Sequence, residues 1–240
     1  MDIARPCWPA LVVASALTLV CAVTAGVAAG AAGTELTRGP NTAELRAAVK
    51  RETAERWRVW PAGRVFPARL AYSAEQGGTE QASRIGISPR TSCAGAVDPA
   101  AGAALRRAGC RAVLRATYID ALRGVLVTVG VAAFPDERAA ARATAAFPQA
   151  GEPVPGLRPL AFRGTVADRF TPSVRQAGSV RQAGPYVVLT TAGQADGRPA
   201  RTAGEQRPAV FSYGSELAAH VLHGLTTPTL PDCAAPEWRC

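Results

Sequence analysis

Two histidines and two cysteines near the end of the chain are the residues whose types and spacing could do chemistry. His220 and His223 stand one helical turn apart, and with Cys233 and Cys240 they spell H-x2-H-x9-C-x6-C. Residues at i and i+3 share a helix face, and two imidazoles with two thiolates make a tetrahedral zinc set. Two arguments oppose zinc. Structural zinc sites commonly pair their cysteines at C-x2-4-C spacing, and thiols in an oxidising compartment are consumed as disulfides. The reading therefore favours disulfide chemistry for Cys233 and Cys240, keeps zinc as the alternative, and assigns no cofactor.

Catalytic signatures are absent. The sequence holds no G-x-S-x-G elbow, no Walker loop, no H-E-x-x-H and no glycine fingerprint behind a strand. Lys50 is the only lysine, and it sits in a helical stretch that offers no seat for a Ser/Lys dyad or a Schiff base. Glu52 and Glu55 read as charge partners of Arg51, Arg56 and Arg58 along one helix. Asp98 and Asp136 each precede a helical pattern and read as caps. No catalytic residue is assigned.

A second cysteine pair belongs to the elements that organise the chain. Cys93 and Cys110 flank a helix that Asp98-Pro99 starts and Gly109 stops. The helix spans about 18 Å and the residues before it stretch about 16 Å. If that segment doubles back along the helix, the two sulfurs meet.

From Ala112 to Tyr118 the residues alternate, with Ala112, Leu114, Ala116 and Tyr118 on one face and Arg111, Arg115 and Thr117 on the other. That is a half-buried strand. After a connection over 120–124, Val125, Val127, Val129 and Val131 line one face of a second strand, so the pair reads as a hairpin. Asp136 opens an Ala-rich helix to about Ala146.

Short strands at Leu70–Tyr72 and Arg84–Ile87 precede this block, and Tyr186–Thr191 follows it. The order predicts a ferredoxin-like βαββαβ antiparallel sheet with helices on one face. Because so much of the 48% apolar content is alanine, its core should be shallow. Between helix and last strand lies a Pro-rich interval in which Ser173–Gly178 is repeated perfectly as Ser179–Gly184. It reads as a duplication tolerated in a surface loop, with Arg163–Phe170 as a candidate extra strand. Tyr213–Leu225 is the last helix.

Upstream, residues from Pro9 to Gly33 carry no charge. The run is long enough for a membrane-spanning helix, with a cleaved signal peptide as runner-up. A helix then runs from Asn41 or Thr42 to about Arg58 as a stalk that docks at its far end. The organisation is thus a tail 1–8, a transmembrane helix or signal peptide 9–33, a linker and stalk helix 34–60, an α+β domain 61–225 and a Pro/Cys-rich tail 226–240.

Orientation rests on two arguments. Arg38, Arg46, Lys50 and Arg51 outnumber Arg5 and favour a cytoplasmic domain. Four downstream cysteines favour an oxidising space, and long domains translocate largely regardless of flank charge. The cysteines decide for an extracytoplasmic domain. The net charge of +9 is spread singly over arginines along the chain, which suits a solvated surface better than a nucleic-acid stripe. No nucleic acid is expected.

The A-E-R-W-R of Ala54–Arg58, P-A-G-R-V-F-P of Pro61–Pro67, G-C-R-A-V-L-R-A-T-Y of Gly109–Tyr118 and V-T-V-G-V-A of Val127–Ala132 resemble an uncharacterised family of actinobacterial membrane-anchored extracytoplasmic proteins. The resemblance covers roughly Ala54 to Ala146. It implies one N-terminal membrane segment and a small α+β domain outside, and it implies no chemistry. The sequence favours a non-catalytic binding domain facing the membrane exterior, with an envelope protein as partner. An exported enzyme with a site assembled from distant residues, or a cytoplasmic-facing basic nucleic-acid-binding domain, are its alternatives.

Overall fold

The computed structural model describes residues 8–199 and 211–229. Helix α1 (Trp8–Thr37) contains Val12–Glu35, a stretch long and apolar enough to cross a membrane, none of it buried within the protein. Helix α2 (Thr42–Val59) begins with a reciprocal cap. Asn41 Oδ1 accepts from the Glu44 amide, and Glu44 Oε2 accepts from the Asn41 amide, both at 2.9 Å. A compact unit runs from Ala47 to Leu230, and the rest of the description concerns it.

In chain order the unit holds α3 (Ala62–Val65), β1 (Arg69–Ser73), β2 (Thr79–Ile87), α4 (Cys93–Ala96), α5 (Pro99–Arg107), β3 (Ala112–Ile119), β4 (Val125–Ala133) and α6 (Glu137–Thr144). A 3-10 turn (Pro172–Val174), β5 (Ala177–Ala183), β6 (Tyr186–Gln194) and α7 (Tyr213–Thr226) follow. The strands form one antiparallel sheet in the order β1-β2-β3-β4-β6-β5.

This order corrects the ferredoxin-like expectation, in which the first strand of the motif would lie between its third and fourth. The reason is length. Helices α5 and α6 have 9 and 8 residues, about 12–14 Å, whereas β4 has 9 residues, about 30 Å. Neither helix can carry the chain back along a strand. Chain connections instead close at one end, so β2 and β3 become antiparallel neighbours, with Ile87 opposite Ala116.

Helices cover both faces of the sheet, not one. Against one face pack Leu217, Val221 and Leu225 of α7 with Phe66, meeting Tyr118, Val127, Val129 and Tyr186. Against the other pack Leu105 of α5 and Ala139, Ala140 and Ala143 of α6, meeting Val113, Ala132, Val187 and Leu189. All nine residues of β4 are consequently buried. The core is not shallow, because two layers share one sheet.

The Pro-rich interval is the element that returns the chain across the sheet. Residues 148–176 form a strap on the α5/α6 face, seated on strand glycines. A Cβ at Gly130 would stand 2.6 Å from Leu157, one at Gly86 2.5 Å from the Phe162 ring, and one at Gly193 2.3 Å from the Val174 carbonyl oxygen. Between these seats the Thr117 hydroxyl donates to the Leu160 carbonyl (2.7 Å), and the Leu160 amide donates to Thr128 Oγ1 (3.0 Å). Residues 163–170 form turns, not an extra strand.

The duplicated hexapeptide is also placed differently from expectation. Its second copy supplies most of edge strand β5, while its first copy begins as the 3-10 turn. Gly184, at φ +50°, turns the chain into β6. The Asp98 carboxylate does not cap α5. It accepts from the Gly156 amide and from Arg175 Nη1, both at 2.8 Å, and so fastens the strap to the helix start. Asp136 does cap, accepting from the Ala139 amide at 2.8 Å.

The end of α2 docks through a buried arginine. Arg56, 1% exposed, donates to the carbonyls of Leu225 (3.0 Å) and Thr227 (2.8 Å) and to Thr229 Oγ1 (2.8 Å). It pairs with Glu52 at 2.6 Å and lies over the Trp60 ring. Its charge therefore satisfies carbonyls at the negative end of α7.

Candidate functional site

Cys93 and Cys110 are bonded, with Cα atoms 6.3 Å apart. The turn after α5 makes this closure. Gly109, at φ +82°, lets the Cys110 amide reach back to the Leu105 carbonyl at 2.9 Å. His220 and His223 are exposed on α7. Cys233 and Cys240 lie outside the described residues, so the zinc set and the second disulfide do too. Among the described residues, no three His, Cys, Asp or Glu side chains gather at metal-binding distance.

Two clefts bring polar side chains together. One, about 380 Å³, is lined by Tyr72, Glu80, Asp120 and Tyr213. The Tyr72 hydroxyl donates to Glu80 and accepts from the Ala121 amide. Asp120 accepts from the Val125 amide, and the Tyr213 hydroxyl donates to the Val125 carbonyl. Burial, with Glu80 bonded to it, pushes the Tyr72 phenol up to about 12. These groups hold the β1–β2 and β3–β4 turns together and keep the phenols protonated.

The other cleft, about 450 Å³, lies between the strap, β5 and the start of α7, where Glu152, Gln176, Ser179, Thr190 and Ser215 face it. Ser179 and Thr190 hydroxyls bond each other at 2.6 Å, and Ser215 Oγ accepts from Arg181. The Gln176 amide is shielded and has no partner on either atom. Apart from the Glu152 carboxylate, the polar side chains of the lining are neutral, and among the described residues no hydrogen bond joins that carboxylate to Ser179 or Ser215.

A third arrangement is cationic. Arg115 is half-buried on β3, on the face the strap covers. The Ser88 amide donates to the Arg115 carbonyl and the Val113 amide to the Thr91 carbonyl, both at 2.9 Å. Arg90 therefore lies on the segment bracketed against Arg115. From the strap, Arg158 brings its carbonyl within 3.5 Å of Arg115 Nη1. Burial, together with the charges of Arg158 and Arg90, pushes the Arg115 guanidinium below its usual range. Its Nε is shielded without an acceptor. Among the described residues no carboxylate pairs with any of the three.

Sequence reading placed Arg115 on the polar face of a half-buried strand. The faces alternate as read, but the strand is buried on both rather than half-buried, and nothing local signals that the strap roofs the second face. The glycines at positions 86 and 130 are the one available hint, since strand glycines mark close backbone approach.

Fold and sites together define an α+β unit with both faces of its sheet covered, following an apolar helix of membrane-spanning length. Comparison with protein-family models, curated proteins and solved structures yields no match to the chain.

Proposed function

We propose that this chain is a single-pass membrane protein, anchored by α1, whose α+β unit stands outside the cytoplasm. There it acts as a non-catalytic binding module for an envelope component or partner protein. The observation that carries the reading is the Cys93–Cys110 bond, because structural disulfides form and persist in oxidising compartments. The apolar length of α1 supports anchoring. The binding role is supported by the Tyr72 cleft, whose acids and phenols are engaged in holding turns. The likeness to actinobacterial membrane-anchored proteins belongs to the same proposal.

Protease added to intact cells tests the topology. Degradation of the unit, with a membrane-embedded α1 fragment surviving, is the expected result. Full protection until lysis would place the unit inside and refute the proposal. Recovery of a mature protein lacking α1 would replace anchoring by secretion.

A further inference from the structure

We propose that Arg90, Arg115 and Arg158 form a binding site for a phosphate-class oxoanion. Three elements deliver these residues to one place on the sheet: the segment after β2, strand β3 and the strap. Guanidinium groups stay charged at any physiological pH, and the charges of Arg158 and Arg90 act unfavourably on Arg115 with no carboxylate paired to any of the three among the described residues. Asp98, the acid at the start of α5, is already taken by Arg175 and the Gly156 amide. A bound anion resolves the repulsion.

The chemistry of the donors selects the ligand. Planar forks bind carboxylate or phosphate oxygens in pairs. One fork suffices for a carboxylate, whereas three guanidinium charges on adjoining elements match a tetrahedral group carrying up to two. Arg115 is held by the strand and the strap. Arg90 and Arg158 are exposed and are free to close on the ion. The phosphate group could come from a soluble compound or from a lipid headgroup, and the recognising chemistry is the same.

The inference deepens the reading of the unit as a binding module, but it does not depend on which side of the membrane the unit occupies. Protection from protease would remove the topology and leave this site untouched. The test uses the full chain in nanodiscs of zwitterionic phosphatidylcholine, with arginine Nε–Hε resonances followed while inorganic phosphate is added at constant ionic strength.

The Arg115 signal should shift saturably. R90Q and R158Q should each weaken half-saturation about tenfold, the value of one charge-assisted bond. R142Q, an exposed arginine on α6, should leave it unchanged. A second arm replaces the lipid by anionic phosphatidylglycerol without added phosphate. A shift in that arm that R90Q and R158Q abolish assigns a lipid headgroup, and one confined to the first arm assigns a soluble phosphate compound. No saturable shift in either arm, or equal behaviour of R90Q, R158Q and R142Q, overturns the site.

Discussion

Arg175 and Arg181 occupy the same position of two identical hexapeptides, which makes each the control for the other. Arg175 has 7% of its side chain exposed and donates to Asp98 Oδ2 at 2.8 Å, to the Pro153 and Pro172 carbonyls at 3.2 Å and to the Leu157 carbonyl at 3.4 Å. Arg181 is exposed, and its partners are the neutral Ser215 carbonyl and hydroxyl at 2.8–3.1 Å. Removing one member of a buried pair costs about 3–5 kcal/mol. The lower end applies to Arg175→Ala, because Asp98 remains 16% exposed and keeps the Gly156 amide. That loss of about 3 kcal/mol lowers the melting temperature by about 6–12 °C in a unit of this size. Arg181→Ala should cost less than about 1 kcal/mol. Urea and thermal unfolding of the full chain in detergent, followed by far-ultraviolet circular dichroism, measures both. Equal losses, or a larger loss for Arg181→Ala, would refute the assignment of different work to identical sequences.

Three further outcomes follow from the packing. Gly193→Ala should destabilise by about 2–3 kcal/mol because its Cβ meets the Val174 backbone, and Gly86→Ala by about 1 kcal/mol because the Phe162 ring can turn aside; denaturant midpoints in the reverse order would contradict the strap seating. Replacing Cys93 and Cys110 together by alanine reopens a loop of 17 residues and should remove about 3 kcal/mol, read as a fall in denaturation midpoint that reductant reproduces in the wild type. The four tyrosines are all buried. Tyr72 and Tyr186 are pushed up to about 12 by burial, and Tyr118 and Tyr213 are raised as well. Since unfolded tyrosine titrates near about 10, these phenols stabilise the fold below that pH and the contribution is lost as pH rises through about 12. Near-ultraviolet absorbance should show little phenolate until the chain unfolds in alkali, and free titration around 10 would exclude the burial.

What was legible in the sequence was local. Alternation located β3 and β4, with Leu114, Ala116 and Tyr118 on one face of the first and Val125, Val127, Val129 and Val131 on one face of the second. Caps found the starts of α2 and α6, the Asp98-Pro99 step found that of α5 although the Asp98 carboxylate works elsewhere, and Gly109 found the end of α5. The strap was not legible, because its anchoring points are glycines on strands distant in sequence, and Leu157, Leu160 and Phe162 carry no pattern of their own. The duplicated hexapeptide shows the limit directly, because its first copy starts in the 3-10 turn and enters β5 only with its last two residues, whereas its second copy lies along β5. The same six residues take whichever form their neighbours complete. The ferredoxin-like topology fails on helix length, since a helix of nine residues cannot span a strand of nine. The proposed arginine site is hidden for the related reason that only the strap brings residue 158 to Arg115.

The Arg56 contacts have a mechanical consequence. They join the segment through which the chain enters the unit to the residues just after α7, near where it leaves. A load applied through α2 is therefore shared with α7 and the sheet beneath it, by bonds that resist in shear across several carbonyls at once, and does not peel the entering helix away turn by turn. A unit loaded through α2 should therefore yield first elsewhere, at a surface loop, with the sheet still closed.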